Sequence, residues 1–144
     1  MKNLKVLFLT VFLLAITICS AQYEQSTTQY PSDGIRFLTK ANFDTHVGNP
    51  RIIVVIEFWA GWNRANQCTF LKKLSGCKVY RIDTEASPAL SGRFGISVVP
   101  TIIIFDGEKA AEKFEGNLSF QLPENVDKKE VQKAVDKIVG EKFQ

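Results

Sequence analysis

The sequence predicts an α/β domain in which a central mixed sheet carries helices on both faces. An almost continuous apolar run at 52–59, rich in branched residues, is typical of a strand covered on both sides. Strand-like and helix-like segments alternate along the chain, which favours parallel strands joined by helices. Asp106-Gly107 stands between two further apolar runs and predicts a hairpin, so part of the sheet is expected to be antiparallel.

The first half of the chain supplies the centre of this sheet. Residues 35–38 predict a short strand, and the brief helix after it would bury Phe43 and Val47, which lie four residues apart. After the central strand, Asn63 is a candidate cap for a helix that runs to about Leu74. We expect the Asn63 side-chain oxygen to accept from a backbone amide at the start of that helix.

The second half predicts the remaining strands and two more helices. The strands are expected at 78–82, 101–105 and 110–114. Ser87-Pro88 has the order typical of a helix start, and Asp127 followed by Glu130 resembles the capping box of the last helix.

The first 21 residues predict a secretory signal peptide. Two lysines, an apolar run over 6–18 and small residues up to Ala21 occur in the expected order, and the run is too short to span a bilayer as a helix. Cleavage after Ala21 would export the chain to a periplasmic or extracellular location. In the alternative, Cys19 is lipid-modified instead of removed, but Ile18 stands where bacterial lipoprotein signals have a small residue.

The composition beyond Ala21 predicts a short leader and one domain. Residues 22–34 are polar and nearly free of branched apolar side chains, which predicts a flexible leader before a single domain at 35–144. The net charge of +3 is too small to indicate binding to nucleic acid or anionic lipid, and we expect no integral membrane segment after cleavage.

Two cysteines, Cys68 and Cys77, remain after signal cleavage. An exporting compartment normally oxidises thiols, so a structural disulfide between them is one interpretation. Two buried thiols and a pair that exchanges electrons are the others. His46 is the only histidine, so the sequence indicates neither a metal site nor a cofactor.

Phe58-Trp59-Ala60-Gly61-Trp62 resembles the thioredoxin family, whose signature is F-W-A-x-W followed directly by C-x-x-C. Glu57 matches the buried acid of that family, Val99-Pro100-Thr101 its cis-proline step, and Gly116 the glycine after its hairpin. The resemblance implies a thioredoxin fold over about 35–139, with a cis peptide bond before Pro100.

Where the family has its two redox cysteines, this chain has Asn63-Arg64-Ala65-Asn66. Thiol exchange needs one thiolate that attacks a disulfide and a second thiol that resolves the mixed intermediate. An amide does neither. The departure therefore implies that ordinary thioredoxin activity is missing.

The resemblance also assigns candidate site residues. The family's buried acid handles the proton of the second cysteine, and here Glu57 is expected to remain as a buried acid hydrogen-bonded to an amide. The substrate groove would contain Trp62, Asn63, Arg64, Val99 and Pro100. In the family an extended polypeptide pairs as an added strand with the residue before the cis-proline, which is Val99 here.

These residues support two functions from different classes. The first is a binding module that holds an extended polypeptide or a partner protein in the groove beside Pro100, or serves as a subunit of an envelope assembly. The second is an atypical thiol-disulfide oxidoreductase in which Cys68 attacks, Cys77 resolves, and Glu57 assists. Cys68 lies more than a turn beyond the expected helix start, where the helix dipole lowers a thiol pKa least.

Overall fold

A computed structural model describes residues 30–143 and contains a four-stranded mixed sheet. The spatial order is β2-β1-β3-β4, in which β1 pairs with β2 in parallel and the other neighbours are antiparallel. The strands are β1 (Ile53–Trp59), β2 (Lys78–Asp83), β3 (Thr101–Asp106) and β4 (Lys109–Glu115). Each of these strands lies within one residue of its predicted bounds, and the hairpin at Asp106-Gly107 is confirmed.

Within the described residues, three α-helices accompany the sheet: α1 (Phe43–Val47), α2 (Pro88–Arg93) and α3 (Lys128–Lys142). The predicted cap of α3 is confirmed, because the Asp127 carboxylate accepts a hydrogen bond from the Glu130 backbone amide at 2.9 Å. This contact satisfies one of the amides that a helix start leaves without a partner.

The two faces of the sheet carry separate apolar clusters, because side chains alternate along β1. Val54, Ile56 and Phe58 face the cluster that includes α1 and α2 residues. Ile53 and Val55 face the opposite cluster, which includes Val131 and Val135 of α3. Glu57 follows the second set in register and is fully buried.

The helix predicted from Asn63 to about Leu74 is wrong. The segment forms two 3₁₀ segments, Gly61–Asn66 and Leu71–Lys73, with extended backbone at Gln67 between them. The cause lies in competing hydrogen bonds: the backbone amide of Cys68 donates to the buried Glu57 carboxylate at 2.7 Å instead of to a helix carbonyl. The regular helix is therefore lost, and the buried Glu57 carboxylate gains a hydrogen-bond donor.

The predicted strand at 35–38 forms only a single parallel bridge, between Phe37 and Arg81. Just before it, the predicted leader is ordered at its end. Asp33 forms an ion pair with Arg81 at 2.6 Å, and the Tyr30 ring packs edge-on against Phe37 at 4.5 Å. These contacts correct the prediction of a flexible leader for residues 30–34, because a buried cation and an aromatic cluster hold them.

The predictions for residues 1–29, namely the signal peptide, the lipidation alternative at Cys19 and the rest of the leader, lie outside the described residues. Among the helices in 30–143, none combines the length and the apolar character that crossing a bilayer requires.

Candidate functional site

The candidate site lies where the first 3₁₀ segment meets the loop before β3. The peptide bond between Val99 and Pro100 is cis, as predicted. The end of β4 closes against it, because the Gly116 amide donates to the Pro100 carbonyl at 2.9 Å. A Cβ atom on Gly116 would lie 2.8 Å from that same oxygen, so only glycine allows this approach.

Asn63 connects three segments at this point. Its buried side-chain nitrogen Nδ2 donates to the carbonyl of Val99 at 3.0 Å and to the carbonyl of Phe120 at 2.9 Å. Its oxygen Oδ1 accepts from Nδ2 of Asn66 at 2.8 Å, and Gln121 Nε2 donates to Asn66 Oδ1 at 3.3 Å. We call Asn63, Asn66 and Gln121 the amide ladder.

The ladder corrects the capping prediction. Asn63 Oδ1 accepts from the Asn66 side chain, whereas the predicted donor was a backbone amide at the helix start. Ala60, which precedes the 3₁₀ segment, makes no side-chain cap either. The amide side chain instead satisfies two loop carbonyls far along the chain, which a cap cannot do. Asn63 therefore has a tertiary role.

An apolar cavity of about 150 Å³ opens beside the ladder. The Trp62 side chain is 59% exposed and meets the Phe120 ring edge-on, with 4.9 Å between the ring centroids. Phe120 has a φ of 56°, a left-handed conformation that is costly for an aromatic residue. The cavity is lined by Trp62, Thr84, Ile96, Ser97, Val98, Val99 and Phe120.

The structure brings most of the predicted groove together. Trp62 and Val99 line the cavity, Asn63 donates to the Val99 carbonyl, and Pro100 follows directly. Arg64 is exposed and does not belong to the cavity lining. Phe120 and Gln121 were missed by sequence reasoning, although an aromatic residue in an otherwise polar loop is a signal that could have singled out the first of them.

Buried charges near the carboxyl end of β1 form a second arrangement. Glu57 Oε2 accepts from Arg81 Nε at 2.5 Å, and both side chains are fully buried. The Arg81 Nη1 atom reaches Asp33, and its Nη2 atom donates to the Cys68 carbonyl at 3.3 Å. We call Glu57, Arg81 and Asp33 the charged cluster. The predicted amide partner of Glu57 is the backbone amide of Cys68.

The cluster perturbs the ionisation of its members. Burial acts to raise the pKa of Asp33, but hydrogen bonds from Arg81 and the Ile35 amide outweigh it, so the pKa is lowered. Burial opposes the charge of Arg81, yet the nearby carboxylates of Glu57 and Asp33 raise its pKa further. Asp33 and Arg81 therefore remain charged together, which suits a structural ion pair.

Cys68 and Cys77 are both free thiols in the structure, which does not form the disulfide that the sequence left open. Cys68 is buried, and burial together with the Glu57 carboxylate raises its pKa far above the usual range. Burial, and then the charge of Asp136, raises the pKa of Cys77 to about 11. Neither thiol supplies an appreciable thiolate at neutral pH, so the environment opposes their predicted catalytic use.

No group of three or more His, Cys, Asp or Glu side chains suited to hold a metal ion occurs within residues 30–143. The polar atoms at the site are amides and backbone groups. The arrangement can form hydrogen bonds and apolar contacts, and it contains no activated nucleophile among the residues described above.

Comparison with known proteins gives a consistent result. Residues 34–128 match the family model for thioredoxin. The chain is 33% identical over 141 residues to the protein disulfide-isomerase A6 homolog of Drosophila melanogaster, covering 91% of this chain and 31% of that protein. It is 33% identical over 88 residues to the chloroplastic thioredoxin M4 of Arabidopsis thaliana, covering 55% and 45%. The chain thus spans less than half the length of these two relatives.

A solved structure has the same fold. The thioredoxin Mala s 13 of Malassezia sympodialis superposes with a TM-score of 0.54 at 18% identity, covering 76% of this chain and 94% of that one. At this identity the match shows the fold alone. The family model, the ordered motifs and the mixed sheet with helices on both faces agree, and the chain belongs to the thioredoxin family.

Proposed function

We propose that this domain binds extended segments of other polypeptides and does not exchange disulfides. The observation that carries the proposal is the asparagine pair: Asn63 and Asn66 stand where the family has its redox cysteines, and their side chains bond to each other. Thiol chemistry has no atoms to use at this position. The groove beside it nevertheless keeps its apolar surface.

The surface has the features of a peptide site. Trp62 is largely exposed beside an apolar cavity, an arrangement common at binding surfaces. Within the described part of the chain, the backbone N–H of Val99 has no hydrogen-bond partner. An extended chain that offers a carbonyl to this N–H would place a side chain near the cavity.

The location of this activity is part of the proposal. The order of charged, apolar and small residues over 1–21 supports export, and the partner would then be a periplasmic or extracellular polypeptide, including a subunit of an envelope assembly. Mass spectrometry of the protein from its native host tests this, because a chain that begins at Gln22 is expected.

The binding proposal is tested with reduced, carboxymethylated α-lactalbumin, a permanently unfolded polypeptide, as the probe. We expect saturable binding by titration calorimetry, and we expect Trp62→Ala to weaken it about tenfold because the aromatic anchor is lost. Phe143→Ala is the matched control, since Phe143 is similarly exposed but lies at the end of α3. Absence of binding to the wild type contradicts the proposal.

A second measurement addresses the thiol alternative. Reduction of insulin disulfides is followed for the wild type and for Cys68→Ser. We expect both to be inactive, because the pKa values of Cys68 and Cys77 are raised and the motif positions are amides. Turnover that disappears in Cys68→Ser would instead establish the oxidoreductase.

A further inference from the structure

The two backbone groups of Val99 are not equivalent. The carbonyl accepts from Nδ2 of Asn63 at 3.0 Å, whereas the N–H has no partner within residues 30–143. Asn63 is buried, so its amide is held in place by its surroundings and by its bonds to Phe120 and Asn66. The groove thus presents a free donor beside an acceptor that is already in use.

This asymmetry matters for a bound chain. In an antiparallel pair, the two residues that face each other exchange both hydrogen bonds, one in each direction. A residue opposite Val99 can offer its carbonyl to the free N–H. The Val99 carbonyl has two lone pairs, of which Asn63 Nδ2 already takes one, so the N–H of that residue must share the oxygen with Asn63 and gains a weaker bond. A bound N–H that leaves water without gaining a full partner weakens binding.

Proline is the residue that avoids this loss, because it has a carbonyl and no backbone N–H. The cavity also suits it. Trp62 and Phe120 meet at an interplanar angle of 87° and form two aromatic walls of a space of about 150 Å³, enough for one small apolar ring. Grooves lined by aromatic residues bind proline-containing extended segments well, since these segments lose little conformational freedom.

Asn63 affects both the Val99 carbonyl and the position of the Phe120 ring. The same Nδ2 atom that takes the Val99 carbonyl also bonds the carbonyl of Phe120, and so holds this residue in its left-handed conformation against Trp62. We propose that Asn63 makes the groove selective for extended segments that place a proline opposite Val99. This inference rests on the proposed polypeptide-binding function and adds its specificity.

The experiment uses three fluorescein-labelled peptides with Gly-Ser flanks and a central Val-Xaa-Val, where Xaa is proline, N-methylalanine or alanine. Binding to the full domain is measured by fluorescence anisotropy. We expect the proline peptide to bind about tenfold more tightly than the alanine peptide, the effect of roughly one unsatisfied hydrogen bond. N-methylalanine lacks the backbone N–H, as proline does, but it has no ring, so an intermediate affinity separates the two contributions.

Two variants link the preference to Asn63. Asn63→Ala frees the Val99 carbonyl, and the advantage of proline over alanine is expected to fall below about twofold. Asn66→Ala is the matched control, because it leaves both Asn63 bonds to the loop carbonyls in place, and the preference should persist. If circular dichroism shows that Asn63→Ala does not fold, the order of the three peptides on the wild type decides alone.

Failure of the specificity and failure of the function give different results. An alanine peptide that binds the wild type as tightly as the proline peptide, while carboxymethylated α-lactalbumin still binds, overturns the specificity only. A preference that survives unchanged in folded Asn63→Ala also overturns it. If neither the peptides nor α-lactalbumin bind, the proposed function itself fails.

Discussion

The charged cluster and the amide ladder hold buried polar groups in different ways. In the charged cluster, Glu57 is held by the cation of Arg81 and by the Cys68 amide, all inside the core. In the amide ladder, Asn63 is held by neutral carbonyls of two loops. The first arrangement anchors one strand to another through charge, whereas the second anchors loops and leaves a surface open beside them.

An apolar groove is present beside the motif position although that position has no thiols. Both carboxylate oxygens of Glu57 already accept hydrogen bonds, one from Arg81 and one from a backbone amide. The binding that we propose would need neither ionisation nor a nucleophile, because it would use exposed apolar surface and a backbone N–H. Under this proposal, the binding part of the family site is separable from the catalytic part.

The largest expected effect comes from breaking the charged cluster. Arg81→Met leaves the buried Glu57 carboxylate without its cation and should lower the free energy of unfolding by about 3–5 kcal/mol. Urea denaturation measures the change. Arg93→Met is the matched control, because Arg93 pairs with Asp44 at the surface, and its loss should cost about 1 kcal/mol or less.

A companion variant separates charge from packing in that measurement. Combining Glu57→Gln with Arg81→Met removes the unpaired charge and should recover part of the lost stability. Equal losses for Arg81→Met and Arg93→Met would contradict the view that the buried pair is the stronger constraint.

Two glycine substitutions, one beside the groove and one in α2, are expected to change stability in opposite directions. Gly116→Ala places a Cβ atom 2.8 Å from the Pro100 carbonyl, and we expect a loss of about 1–3 kcal/mol. Gly92→Ala, within α2, meets no atom within 4 Å and should gain up to about 1 kcal/mol from helix propensity. Thermal unfolding of both variants checks the signs, and changes in the same direction would contradict this account of Gly116.

The ion pair of Asp33 predicts that the free energy of unfolding depends on pH. Because the folded state lowers the pKa of Asp33 below its ordinary value of 3.8, its contribution is present above that value and is lost as pH falls through the folded pKa. Asp33→Asn should therefore cost about 1 kcal/mol at neutral pH and progressively less as the pH falls below 3.8. Urea titrations across this range measure it, and a difference that stays constant with pH speaks against the charged pair.

The smallest effect concerns the two thiols. Burial raises the pKa of Cys77 to about 11, so its alkylation by iodoacetamide should be slow at neutral pH and accelerate toward pH 11. Cys68 is more deeply buried and should react only when the chain unfolds. Mass spectrometry of partially labelled protein distinguishes them. Rapid labelling of Cys68 in the native state would restore the redox interpretation.

Local sequence patterns were sufficient for the sheet and for the last helix. The apolar run of β1 and the Asp106-Gly107 turn depend on neighbouring residues, and each appears at its predicted place within one residue. The 3₁₀ segments were not predictable in the same way. A backbone amide that turns toward Glu57, eleven residues earlier, competes with helix formation there, and local propensity does not include such a contact.

The site was predictable only in part, for a related reason. The family motif led to Trp62, Asn63, Val99 and Pro100 as groove residues. The carbonyls that Asn63 binds lie 36 and 57 residues further along the chain, so these contacts could not be predicted from the motif. Arg81 was missed because a cation in a strand normally faces solvent. Its register opposite Glu57 in an apolar strand pair is the signal that could have identified it.

The amide ladder also bears on how readily such a domain returns to thiol chemistry in evolution. Changing Asn63 alone to cysteine leaves the carbonyls of Val99 and Phe120 without their strong donor and the Asn66 amide without its acceptor. Each such loss costs about 1 kcal/mol, and a single cysteine gains no resolving partner in exchange. The single change Asn63→Cys is therefore expected to give a less stable chain that still lacks a resolving thiol, so the contacts of Asn63 oppose this change.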